Sequence, residues 1–228
     1  MSVDYGCVSL QPYVTSVALS DDVGMLVAGC IKDMVTAGVD KSKIHLMGLS
    51  LGAQICGKAG RLLDFQLSWI LGLDPAGPLF ENDITGTLNA TDAQQVSCIH
   101  TDAGFLGTKY PCGGVEFYPN GGTRSQPGCS LTEMIAYANP QIGCSHIRAE
   151  FLQTEAVGNQ NGFLAVKCDS YDYFKVDACN RSDIIPMGER PPALASGKYY
   201  LQTNGQRPYA RGIDGTRYNA TIDSSTVI

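Results

Sequence analysis

The chain has 228 residues, enough for one sizeable domain or one domain with a short appendage, and 44% of them are hydrophobic. With a mean hydropathy of -0.03 this is the composition of a soluble globular protein, and no apolar run approaches the roughly 20 residues that span a bilayer. A net charge of -6 without any basic cluster argues against a nucleic-acid partner or an anionic membrane surface, and the lack of a spanning run argues against stable membrane insertion.

The first residues, Met1 to Gly6, are no signal peptide, having neither a basic start nor an apolar core. They read as the end of a strand. Ser20-Asp21-Asp22 then makes a helix start, with the serine as N-cap and two acids facing the helix dipole. Apolar residues recur at Val23, Leu26, Val27, Cys30, Ile31, Met34 and Val35, and Gly38 is a C′ stop. A polar turn leads to a strand over Ile44–Met47, followed by a helix from Leu51 to about Leu63. That helix carries Ala53, Gly57, Ala59 and Gly60, small residues that let it lie close to a sheet. Ser68–Leu73 is the next strand, and strand, helix, strand in this order is a right-handed βαβ unit of a parallel sheet.

Further strands are expected around Val96–His100 and Val115–Tyr118, a helix over Ile147–Gln153, and a β-type run at Tyr199–Thr203. No internal repeat or low-complexity tract interrupts the pattern. Nine cysteines are too many for an ordinary cytosolic enzyme, and without CxxC pairs they do not suggest structural zinc. Cys98/Cys112, Cys129/Cys144 and Cys168/Cys179 are close-spaced pairs across turn-rich segments, which reads as a disulfide framework from an oxidising compartment. Asn89, Asn180 and Asn219 open Asn-x-Ser/Thr triplets, which accept glycans if the chain is secreted.

The chemistry is concentrated in Gly48-Leu49-Ser50-Leu51-Gly52, set between the predicted strand and helix. The five-residue pattern is weak alone, but this context is that of a nucleophile elbow. There the turn lifts the serine hydroxyl above the sheet, and a side chain at either flanking glycine would collide with its neighbours. A serine nucleophile needs a base and an acid that orients the base. Asp74 ends the strand after the elbow helix and is either that acid or the first residue of an Asp-Pro turn. Of the three histidines, His45 is expected to pack within the strand before the elbow and His100 to be a hydrogen-bonded structural residue. Elimination favours His146, which also preserves the order Ser, Asp, His of the α/β-hydrolases.

These stretches resemble the pancreatic-lipase family of secreted lipases and phospholipases A1, most closely its insect members. The resemblance rests on Ile44–Arg61, Gly72–Phe80, Cys98–Ala103, Val115–Cys129, Cys144–Ala149 and Lys198–Thr203, in order along nearly the whole chain. It implies a single α/β-hydrolase domain over residues 1–228 with a mainly parallel sheet, lacking the family's N-terminal strands. It implies Ser50 as nucleophile, Asp74 as acid and His146 as base, with the N–H of Leu51 in the oxyanion hole. The family's other oxyanion donor comes from a His-Gly loop that nothing in this chain matches, and losing one such donor typically costs about 100- to 1,000-fold in kcat.

The resemblance further implies disulfides Cys129–Cys144 and Cys168–Cys179, admits Cys98–Cys112 and Cys7–Cys30, and leaves Cys56 as a buried thiol. The loop of residues 130–143 would be the lid, with Leu131, Met134, Ile135 and Tyr137 as an apolar face toward lipid or, alternatively, toward the core. Its shortness, and that of the segment between Thr101 and Val115, points to phospholipid or small-ester substrates. Asp92 and Asn89 fall near a calcium site of vertebrate relatives, but only Asp92 keeps the carboxylate, so no metal and no cofactor is expected. The implied function is extracellular hydrolysis of glycerolipid esters at a lipid interface. The alternative is a catalytically silent lipid-binding or storage protein of the same fold.

Overall fold

The structure is a computed structural model that describes residues 1–81, 85–129, 143–159 and 161–223. Residues 1–5 form no strand; the chain begins with a short helix α1 (Gly6–Ser9), then the long helix α2 (Tyr13–Thr36). α2 starts well before the predicted Ser20 because Pro12 supplies a better entry: its extended backbone turns into the helix and its carbonyl accepts from Thr15 and Ser16 N–H. Ser20 is instead buried inside the helix, where its hydroxyl donates to the Val17 carbonyl at 2.7 Å. The predicted stop is made as a Schellman motif: Gly38, at φ +96°, donates to Val35 O, and Val39 N–H donates to Met34 O.

By length and composition α2 is long and apolar enough to cross a membrane, which corrects the expectation that the chain holds no such run. In this fold it lies along α3 (Leu51–Arg61), burying Ser16, Ser20, Val23, Gly24, Ala28 and Ile31. A Cβ at Gly24 would meet Lys58 Cγ of α3 at 2.6 Å, so the bare glycine sets how closely the two helices approach.

Among the described residues seven strands form one sheet in the order β1-β2-β3-β4-β7-β5-β6. β1 (His45–Leu49), β2 (Trp69–Leu73), β3 (Val96–Ile99), β4 (Val115–Pro119) and β7 (Gly197–Leu201) run parallel, while β5 (Leu164–Lys167) and β6 (Asn180–Pro186) pair antiparallel beyond β7. The mainly parallel α/β architecture is therefore as expected. β2 is buried along its whole length, as a strand covered on both faces must be. Leu71, Leu73, Ile99, Phe117 and Tyr199 face Ala149 and Leu152 of α4 (Cys144–Ala156), while Ile70, Val96 and Cys98 face Ala53 and Cys56 of α3.

Register positions the chemistry. Leu49 pairs with Leu73 and Leu73 with Ile99, so Ser50, Asp74 and His100 leave their strands at one level of the carboxyl edge. Among the described residues β1 is a sheet edge, which leaves Met47 43% exposed and His45 exposed beside Trp69 rather than packed as expected.

Cys98–Cys112, Cys129–Cys144 and Cys168–Cys179 are bonded, and Cys56 is a buried free thiol. The admitted Cys7–Cys30 pair is not formed, and both thiols are free and exposed. α1 meets α2 near Ser16, whose hydroxyl donates to Val8 O. Cys30 lies roughly 20 Å further along that helix at about 1.5 Å per residue. The lid expectation falls on residues 130–143, of which 130–142 lie outside the described residues.

Candidate active site

β1 passes into α3 through Ser50, whose φ of 55° and ψ of -120° are costly for a residue with a Cβ. The strain is held from three sides. Ser50 N–H donates to Leu73 O at 2.9 Å, Ser50 O accepts from Ala53 N–H at 3.0 Å, and a Cβ at Gly48 would overlap the Gly52 carbonyl. The expected clash at the second glycine is not found. A Cβ at Gly52 would meet only the Tyr5 hydroxyl, at 3.4 Å, because α3 has already turned away from the strand. Ser50 is half-buried, and the Leu51 N–H at the start of α3 has no acceptor among the described residues.

Asp74, one residue past β2, also takes a positive φ (39°) and is fully buried. Its carboxylate is shared between two tasks. Oδ1 accepts from the backbone N–H groups of Thr101 at 2.8 Å and Asp102 at 3.0 Å, and Oδ2 faces His146 Nδ1 at 2.6 Å. A carboxylate held this way fixes the imidazole's tautomer and leaves Nε2 as its basic nitrogen. Asp74 N–H donates to Ile99 O at 2.7 Å, tying the acid to β3 as Ser50 is tied to β2.

His146 sits in the first turn of α4, which begins at a disulfide. A polar network outside the sequence motifs' obvious chemistry aims this turn. Ser145 Oγ accepts from Gln126 N–H at 2.9 Å; Gln126 donates to Pro119 O and Thr123 O and accepts from Asn120, which bonds Thr203. The loop after β4 is thereby locked to the histidine's helix.

His100 is buried and structural, as expected, with Nε2 2.6 Å from Glu116 Oε2 and its ring stacked on Tyr118. His45 does not reach the site. Sequence reasoning missed Glu116, Gly107 and the pair Asp102–Arg124, in which the guanidinium donates from Nε to Oδ1 at 2.7 Å and from Nη2 to Oδ2 at 2.5 Å. Asp102 and Arg124 both lie in matching stretches, Cys98–Ala103 and Val115–Cys129, but nothing in the sequence pairs the two. Burial, which outweighs this guanidinium, pushes the Asp102 carboxyl up, with the Asp74 charge adding to it. Away from the site, Asp92 is paired with Arg61, which donates to its Oδ2 at 2.7 Å and to the carbonyls of Thr87 and Gly86.

A strained strand-to-helix serine on a parallel sheet of this order places the chain among the α/β-hydrolases. The lipase family model matches residues 1–209. Lipase member H-B of Xenopus laevis is 36% identical over 177 residues, which is 77% of this chain and 38% of that protein. Phospholipase A1 member A of Bos taurus is 31% identical over 223 residues, 92% of this chain and 48% of that protein. The chain thus belongs to the lipase family, and it spans less than half the length of these relatives.

Proposed function

We propose that this chain is the catalytic part of an extracellular carboxylic ester hydrolase that cleaves glycerolipid esters, phospholipid or acylglycerol, at a lipid interface. Residues 1–228 would act within one lipase domain. Ser50 Oγ attacks the ester carbonyl while His146 Nε2 takes its proton, and Asp74 stabilises the imidazolium. The N–H of Leu51 donates to the oxyanion. The alcohol leaves with the proton returned by His146, and water activated by the same base releases the fatty acid.

The observation that carries this reading is the 2.6 Å contact of His146 Nδ1 with Asp74 Oδ2, on the edge where Ser50 is held strained. The names of the two relatives, a lipase and a phospholipase A1, support the ester class without choosing between the lipids. The three disulfides among the described residues fit an oxidising, extracellular location.

The test is hydrolysis of phosphatidylcholine and triacylglycerol by the protein and its Ser50→Ala variant. Loss of about 10⁴-fold or more in kcat is expected for the variant. A variant that retains activity overturns the assignment. A wild-type protein that binds lipid vesicles but hydrolyses neither ester supports the silent lipid-binding reading instead.

A further inference from the structure

We propose that Arg124 is the counter-ion that keeps a second buried carboxylate, Asp102, from competing with Asp74 for His146, and so sets the pH at which the base becomes free. This rests on the Ser50–Asp74–His146 reading and adds a positioning pair to it.

Asp74, Asp102 and His146 each offer an atom within 4.8 Å of the others. Both carboxylate side chains have no exposure at all. The imidazole needs one acid. A second anion at this range, without a cation of its own, would hold the imidazolium and delay its loss of the proton. Position 102 serves Asp74 through its backbone N–H, which donates to Asp74 Oδ1, while the Asp102 carboxylate accepts from Leu106 N–H of the following turn at 3.4 Å.

Arg124 resolves the conflict. Its guanidinium grips both oxygens of Asp102 in a bidentate pair and is itself only 5% exposed. Phe105 covers it, with the ring centroid 4.5 Å from Cζ. Among the described residues, the groups whose charges reach Asp102 are Arg124, Asp74 and His146. Asp102 and Arg124 cancel at close range, and His146 is left with the charge of Asp74.

The experiment titrates His146 directly. The chain has three histidines, so its imidazole signals can be followed by NMR against pH, with His45→Gln identifying one of the others. Ester hydrolysis gives the acid limb of kcat/KM in parallel. Arg124→Gln is expected to raise the His146 midpoint by about one pH unit or more, and Asp102→Asn to lower it. The double variant returns it toward the original value. Arg124→Lys, which keeps the charge and loses the fork, leaves it nearly in place.

Activity loss in Arg124→Gln with an unmoved midpoint, or a double variant whose midpoint stays with either single one, overturns the proposal. If Arg124→Gln does not melt cooperatively, Asp102→Asn and Arg124→Lys decide. Failure of the triad reading shows separately, as activity retained in Ser50→Ala, while the NMR midpoints still judge the pair.

Discussion

Gly107 rests directly against the Asp74 carboxylate: a Cβ there would come within 2.5 Å of both carboxylate oxygens. The acid is thus shaped from two sides, by donors at Thr101 and Asp102 and by a backbone with no side chain at Gly107. Gly107→Ala should push the carboxylate off its line with His146. A displacement on the scale of 1 Å costs about 100-fold, and kcat rather than KM should carry it. Steady-state kinetics with a soluble ester measures this, and unchanged kcat in a folded variant would contradict it.

The two elbow glycines should separate in the same assay. Gly48→Ala sets a Cβ into the Gly52 carbonyl, so it should destabilise by about 1–3 kcal/mol and lose activity. Gly52→Ala meets only the Tyr5 hydroxyl at 3.4 Å and should fold with most of its stability. Thermal melts of the two variants compare them, and equal losses would show that the elbow is more tightly enclosed than its geometry implies.

How much of this was legible beforehand follows from which residues speak locally. Ser50 and Asp74 announce themselves, since a strand, a turn and a helix in sequence must set them at one sheet edge. His146 is singled out by elimination among three histidines, and the structure sets it 2.6 Å from Asp74 Oδ2. Arg124 stands in the matching stretch Val115–Cys129, but its pairing was hidden, because nothing near it in sequence shows that its loop folds back over Asp102. The same limit misplaced the start of α2, where an acceptable cap at Ser20 was outcompeted by Pro12 once α1 packed below it. His45 failed for a further reason: whether a strand is central or an edge is a property of the sheet, not of the strand.

The cysteines divide into three accessibilities. Cys7 and Cys30 are free and exposed, Cys56 is free but buried with its thiol pushed up to about 12, and six are bonded. Iodoacetamide at pH 8 should therefore modify Cys7 and Cys30 in the native protein and reach Cys56 only after denaturation. Peptide mass mapping reads this. A native protein resistant at Cys7 and Cys30 would mean that these thiols are covered or paired.

The three Asn-x-Ser/Thr triplets should not be modified equally. In each, the asparagine Oδ1 accepts from the hydroxyl two residues on, at 2.6 Å for Asn89 and 2.7 Å for Asn180 and Asn219. Exposure separates them: Asn180 and Asn219 are exposed, while Asn89 is half-buried, donates from Nδ2 to Thr87 O and adjoins the Arg61–Asp92 pair. Protein exported through a eukaryotic secretory pathway should carry glycans on Asn180 and Asn219 and none on Asn89. Enzymatic deglycosylation in heavy water marks each occupied site, and a marked Asn89 would overturn the ordering.

Alkaline pH should unfold this protein through groups that have nothing to do with the candidate site. Burial pushes Tyr199 and Tyr200 up to about 12 from 10.0, and Cys56 up to about 12 from 9.0. A group whose folded value is raised contributes stability that is complete below its unfolded value and is lost as pH rises toward the folded one. The unfolded chain gives up these protons between pH 9 and 12 while the folded chain keeps them. The unfolding free energy should therefore hold steady up to about pH 9 and fall continuously above it. Urea titrations from pH 7 to 11 measure the slope. Phenylalanine at Tyr200 should flatten it in part, since that ring is buried at 5% exposure and stacks on Tyr118 and Phe174 without an ionised oxygen being required. A slope unchanged by Tyr200→Phe would assign the alkaline loss to other groups.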